Sequence, residues 1–120
     1  MRLSVMTRQG AGHATADMEG YWFITGFGHD LASNSYYAFE GVLGSNALGD
    51  TSILVQSSDG TDLTVDPALA GSVSLAADGT LELNTGGPIF RGGVSADGRY
   101  AVMAGGAVGG DDPVILFLMR

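Results

Sequence analysis

Residues 72–75 read Ser-Val-Ser-Leu and residues 80–85 read Thr-Leu-Glu-Leu-Asn-Thr, so apolar and polar side chains alternate with a period of two. That period puts Leu81 and Leu83 on one face of a strand and Glu82 and Asn84 on the other. Residues 61–66 repeat the pattern, with Leu63 and Val65 opposed to Thr64 and Asp66. Strands with one apolar and one wet face belong to an antiparallel sheet. Three other segments are apolar on both faces: residues 21–27 (Tyr-Trp-Phe-Ile-Thr-Gly-Phe), 53–55 (Ile-Leu-Val) and 114–119 (Val-Ile-Leu-Phe-Leu-Met). Such strands in a half-wet sheet need a second cover, from a partner subunit, a neighbouring domain or an N-terminal arm.

Turn signals recur at a fixed interval. Asp59-Gly60, Asp78-Gly79 and Asp97-Gly98 are spaced 19 residues apart, and Glu19-Gly20 and Glu40-Gly41 extend the beat upstream. Asp-Gly between apolar runs predicts a hairpin, of type I′ where both residues take positive φ. A period near 19 accommodates two strands of about six residues and two turns, with the Asp-Gly turns at one end of the sheet. Strands are expected near 2–8, 20–27, 36–43, 51–57, 61–66, 71–76, 79–85, 89–95, 98–104 and 113–119, with one helical turn within 12–19 and a Gly-rich loop over 105–113. The expected fold is a single all-β domain over 1–120. It is an antiparallel up-and-down meander of about 8–10 strands, closed as a barrel or flattened barrel so that no edge is left exposed. Residues 1–8 end in Met-Thr-Arg, much as 113–120 end in Leu-Met-Arg, so the two segments read as equivalent strands.

Composition narrows the chemistry. The chain has 120 residues, no cysteine, no lysine, five arginines and thirteen carboxylates, for a net charge of −8. Disulfides, thiolate metal sites, Schiff bases and a phosphate-loop lysine are excluded. No basic footprint for nucleic acid is present, and none for an anionic membrane surface. No apolar run is long enough for a transmembrane helix. The opening Met-Arg-Leu-Ser-Val-Met is too short for the apolar region of a signal peptide.

Candidate sites follow from residue type. Trp22, Tyr36 and Tyr37 are candidate stacking residues for a saccharide or small apolar ligand; adjacent rings on a strand point to opposite faces, so each pair buries one and offers the other. Asp59, Asp62 and Asp66 lie close enough in sequence to begin a calcium site, although aspartates in such a stretch equally serve turns. Asp111-Asp112 is a second such pair. His13 and His29, with Asp17, Glu19 and Asp30, supply metal-ligand types without metal-ligand spacing. His29, Asp30 and Ser33, Ser35 or Ser45 supply the groups of a hydrolase triad without its motif. Arg91 and Arg99 are placed to pair with carboxylates across strands. Ile115, Phe117 and Met119 are the expected interface residues of a homo-oligomer or of packing on a neighbouring repeat.

Glu19-Gly-Tyr-Trp-Phe-Ile, Gly92-Gly-Val-Ser-Ala-Asp-Gly98, its echo in 71–79 and the closing Asp111-Asp-Pro-Val-Ile-Leu-Phe-Leu-Met-Arg together resemble β-rich repeat modules of bacterial exported proteins. The resemblance implies an exported, non-enzymatic module and nothing about a ligand; apart from the calcium candidate, no cofactor is expected. The Gly-x-Trp opening is also similar to that of lipocalins and avidins. However, no C-terminal helix is visible here, and Trp22 is the single tryptophan. The expected function is therefore a non-enzymatic binding or structural module that self-associates, with a saccharide- or small-ligand-binding barrel as the alternative.

Overall fold

The computed structural model describes residues 12–58, 63–65, 69–106 and 113–120. A 3-10 turn at Thr15–Met18 precedes nine antiparallel strands: β1 (Gly20–Asp30), β2 (Ser35–Ser45), β3 (Asp50–Ser58), β4 (Leu63–Val65), β5 (Leu69–Leu75), β6 (Thr80–Asn84), β7 (Ile89–Val94), β8 (Tyr100–Gly106) and β9 (Pro113–Met119). Eight of them close into an up-and-down barrel. β1 pairs with β2, β2 with β3, β3 with β5, then each strand with the next through β9, and β9 returns to β1. β4 shares an edge of β3 with β5: Asp50–Ile53 hold β5, and Gln56–Ser58 hold β4. The strands expected over 20–119 are all present, within a few residues of their expected bounds. The one expected over 2–8 lies outside the described residues.

The period-two alternation becomes the inside and outside of the barrel. Trp22 and Ile24 of β1, Leu43, Ile53, Val73, Leu75, Leu81, Leu83, Phe90, Val94, Ala101, Met103, and Val114, Leu116 and Leu118 of β9 point inward. With Met18 they form one buried cluster. Each of these side chains larger than alanine contributes about 1.5–3 kcal/mol by leaving water, and eight strands give an interior that side chains of this size can fill.

Strand direction alternates, so the β2–β3, β5–β6 and β7–β8 loops share one end with the start of β1 and the end of β9. This end is closed. The 3-10 turn lies across it, with Met18 fully buried and its carbonyl accepting the Trp22 indole N–H at 3.0 Å. The turn also fills a gap in the wall. β3–β5 pairing stops at Ser72; beyond it the Val73 N–H donates to Gly49 O (2.7 Å), the Leu75 N–H to Thr15 Oγ1 (3.2 Å), and the His13 N–H to Ala77 O (3.2 Å). The strand edge that β3 leaves open is thus satisfied by the chain entering the barrel, as a buried backbone requires.

The Asp-Gly turns differ from type I′. In the loop from Ala76 to Thr80 the Gly79 N–H donates to Ala76 O and the Ala76 N–H to Thr80 O. Gly79 has φ +90° and Gly98 φ +69°, while Asn34 is the one non-glycine with positive φ among the described residues. The turn is therefore a type I turn followed by a left-handed glycine bulge, in which only the second residue of Asp-Gly needs positive φ. Aspartate acts as an acceptor instead: Asp78 Oδ1 takes the Thr80 N–H at 2.9 Å and Asp97 Oδ1 the Arg99 N–H at 3.1 Å. Both turns lie at the closed end; Asp59-Gly60 lies outside the described residues. Glu40-Gly41 is no turn but the middle of β2.

Candidate functional site

Strand phase decides which aromatic is offered. Tyr21 points outward and is 79% exposed, while Trp22 points inward and is fully buried. This corrects the expectation for Trp22: both ring faces are inside the protein, its N–H is held by Met18 O, and the Arg120 guanidinium lies 4.3 Å from its ring centroid. Arg120 in turn donates to Asp17 O (2.6 Å), Glu19 O (2.9 Å) and Gly98 O (3.1 Å). The last residue of the chain therefore ties the 3-10 turn, the start of β1 and the β7–β8 loop together over the tryptophan.

Tyr36 and Tyr37 sit at the opposite end of β1 and β2. The register runs from Trp22↔Leu43 to His29↔Tyr36, seven residues or about 23 Å of strand, so the three aromatics do not share a site. Tyr37 and Phe39 are inward-phase residues lying across from Gly28 and Gly26. A Cβ at either glycine would fall within the facing ring. Contrary to expectation this pair buries neither ring: Tyr36 is 62% and Tyr37 38% exposed, since Tyr37 lies in the inward phase but near the open end of the barrel. Tyr36 stacks on His29, with centroids 4.4 Å apart. His29 Nε2 is hydrogen-bonded to Asn34 Oδ1 at 3.0 Å. Asp30 Oδ1 accepts the Ala32 and Ser33 N–H groups, and Ser33 Oγ meets Ser35 Oγ at 2.6 Å. These groups close the β1–β2 loop rather than aligning a serine with the imidazole. His13 is at the closed end, its side chain largely buried and Nδ1 3.6 Å from Asp17. The length of β1 separates it from His29, so the two imidazoles cannot share an ion. Asp59, Asp62, Asp66, Asp111 and Asp112 lie outside the described residues. Within the described residues no three His, Asp or Glu side chains converge.

The exposed aspartates of the loops are held as anions by their turns. The Ser33 hydroxyl and N–H lower the Asp30 carboxyl below its ordinary value of 3.8. The Thr80 hydroxyl and N–H do the same for Asp78. For Asp97 the donors are the Ser95 hydroxyl, at 2.6 Å, and the Arg99 N–H. In each case hydrogen bonds to the charged form favour it.

Two of the three segments that are apolar on both faces, 114–119 in β9 and 21–27 in β1, end up side by side, and 53–55 in β3 lies one strand further on, across β2. β9 pairs with β1, β1 with β2, and β2 with β3. On the outer wall Phe23 faces Met119, Thr25 faces Phe117 and Phe27 faces Ile115. Beyond β9, Tyr100, Val102 and Ala104 extend the surface; beyond β1, Phe23 continues through Val42 to Leu54. Phe27 and Phe117 meet edge to face, with centroids 6.0 Å apart. A shallow depression of about 350 Å³ lies among Phe23, Thr25, Glu40, Val42 and Leu54. The expected interface residues Ile115, Phe117 and Met119 thus share one outer face. The far side of the barrel is polar: Ser72, Ser74 and Asn84 accompany Glu82, whose carboxylate accepts from Arg91 Nε at 3.0 Å. No helix among the described residues is long and apolar enough to cross a membrane. Compared with protein-family models and with curated proteins, the chain matches none.

Proposed function

We propose that this chain is a non-enzymatic barrel module that assembles with a second copy of itself through the outer face of β8, β9, β1 and β2. The observation that carries this reading is the run of exposed apolar side chains on that face, interrupted only at Thr25 and Glu40 on β1 and β2. Phe23 is 66% exposed and Met119, Phe27, Tyr100 and Leu54 are each about half exposed, with Ile115 and Phe117 between them. Since an aromatic side chain carries about 150–250 Å², the face leaves on the order of 600 Å² of apolar surface in water. That is at the upper end for a monomer's largest patch and near the roughly 800 Å² per partner of a stable interface. A barrel already has its core inside, so folding alone does not require these residues outside.

A second copy fits this surface better than lipid. A membrane barrel carries an apolar band around its whole circumference and a polar lumen, whereas here the apolar wall covers one side and the interior is apolar. A self-complementary patch on one side is what a two-fold pair needs. The described turn aspartates and the His29 cluster are engaged in loop closure, which supports an assembling rather than a catalytic role.

Sedimentation equilibrium of the full chain tests the proposal. The wild type is expected above its 12.3 kDa monomer mass, and Phe117→Asp and Phe23→Asp are expected at that mass with an unchanged far-UV spectrum. A wild type that stays monomeric at high micromolar concentration, or folded variants that keep the wild-type mass, would overturn it.

A further inference from the structure

Next to the closed end, at the margin of the apolar face, lies a second depression of about 570 Å³ on the outer wall. It runs between the start of β1, the end of β2 and the start of β3. Its floor is Gly44, and Tyr21 is seated there: a Cβ at Gly44 would stand 3.3 Å from the Tyr21 ring. Glycine lets the ring lie against the backbone, while its other face is open to water.

The polar rim is partly locked and partly unspent. Asn46 Oδ1 accepts the Leu48 and Asp50 N–H groups at 3.0 and 2.9 Å, and Asn46 Nδ2 donates to Asp50 Oδ2 at 3.1 Å. This fixes the Asp50 carboxylate while leaving Oδ1 without a hydrogen bond among the described residues. The Glu19 carboxylate and the Ser52 hydroxyl, also on the rim, have no hydrogen-bond partner among the described residues either.

We propose that this depression binds a neutral saccharide, one sugar ring lying on Tyr21 with its hydroxyls donating to Asp50 and Glu19. A sugar ring offers an apolar C–H face and a perimeter of O–H donors. The site offers the complement: a flat, exposed aromatic face set against Gly44 and acceptor-only carboxylates. Acidic and phosphorylated sugars are disfavoured because no cation lines the depression and the chain carries −8 overall. A purely apolar ligand would bury the two carboxylates without partners. Tyr21 shares the outward phase of β1 with Phe23, two residues on, so the Phe117→Asp variant is titrated beside the wild type to separate sugar binding from assembly.

The test is titration of the full chain with cellobiose, maltose, lactose, mannobiose and chitobiose. It is followed by calorimetry and by amide shifts of residues 19–21, 44–46 and 50–52. At least one is expected to bind saturably, with shifts confined to those residues. Tyr21→Ala should weaken binding at least about tenfold and Asp50→Asn about three- to tenfold, whereas Tyr21→Phe should keep the wild-type affinity, because the ring face carries the contact. Because Tyr21 is exposed, its truncation leaves the core intact, and an unchanged melting temperature verifies this. Silence across the panel, binding that survives Tyr21→Ala, or binding of choline or arginine without any saccharide would overturn the proposal.

Discussion

The Arg120 guanidinium lies 4.3 Å from the centroid of the Trp22 ring, so the last side chain of the chain covers the first inward side chain of the first strand. Each of its three donor nitrogens also reaches a backbone carbonyl, on Asp17, Glu19 and Gly98. The planar fork satisfies three separate segments at once, which a lysine ammonium on a flexible stem cannot reproduce. Arg120→Ala is expected to cost about 1–3 kcal/mol, the range of a charge-assisted hydrogen-bond set with a partly exposed cation–π contact. Arg120→Lys should recover less than half of the loss. Urea unfolding followed by Trp22 fluorescence measures both, and the emission of the folded variants should move to longer wavelength as water reaches the ring.

Adjacent residues of β9 should respond in opposite ways. Leu116 is buried inside the barrel and Phe117 is on the outer wall. Leu116→Asp places an unpaired carboxylate in an apolar interior and should unfold the chain, because that penalty is comparable to the whole stability of a small domain. Phe117→Asp should remain folded and change only the association state. Circular dichroism separates the two outcomes. A folded Leu116→Asp barrel would mean that the β9 register is shifted by one residue.

The alternation and turn spacing make nearly all of this architecture legible in the sequence. Period-two segments such as 80–84 carry their own inside and outside, and the turn glycines mark the ends. Legibility fails where both faces are apolar. In Tyr21-Trp22 the alternation requires one ring inside and one outside but does not say which. The choice is made by Met18 O and Arg120, 4 and 98 residues away from Trp22 along the chain. The turn type was hidden for a different reason: Asp-Gly suits both a type I′ turn and a type I turn with a glycine bulge. That the two-faced segments of β9 and β1 become neighbours follows only from barrel closure.

Two glycines in β1 are fixed by aromatic rings across the ladder. Gly26 faces Phe39 and Gly28 faces Tyr37, and the two rings stack along the inner wall with centroids 6.2 Å apart. An aromatic laid over a cross-strand glycine covers backbone that would otherwise lose packing. Gly26→Ala should force the Phe39 ring aside and cost about 1–3 kcal/mol by overpacking, despite alanine's better strand propensity. Combining Gly26→Ala with Phe39→Leu should cost less than the sum of the two single changes, since the clash is then gone. Additive losses in thermal unfolding of the two singles and the double would show that the ring does not sit on Gly26.

Acid stability should depend on the turn aspartates. Asp30, Asp78 and Asp97 all have folded carboxyl values held below the ordinary 3.8 by hydroxyl and backbone N–H donors. A group with a depressed folded value binds fewer protons when folded than when unfolded in the window between the two values, so stability falls as the pH falls there. The contribution is complete above the unfolded value near 3.8 and is lost as the pH drops through the lower folded values. These carboxylates are fully exposed, so each effect is small and weakens further in salt. Asp78→Asn and Asp97→Asn retain an amide oxygen that can accept the same N–H but cannot titrate. The double variant should therefore be slightly less stable than wild type above pH 5, where the carboxylates contribute in full, and the gap should close as the pH falls toward 3. Urea midpoints measured across that range check the sign, and an acid slope in the double variant equal to that of wild type would place the titrating groups elsewhere in the chain.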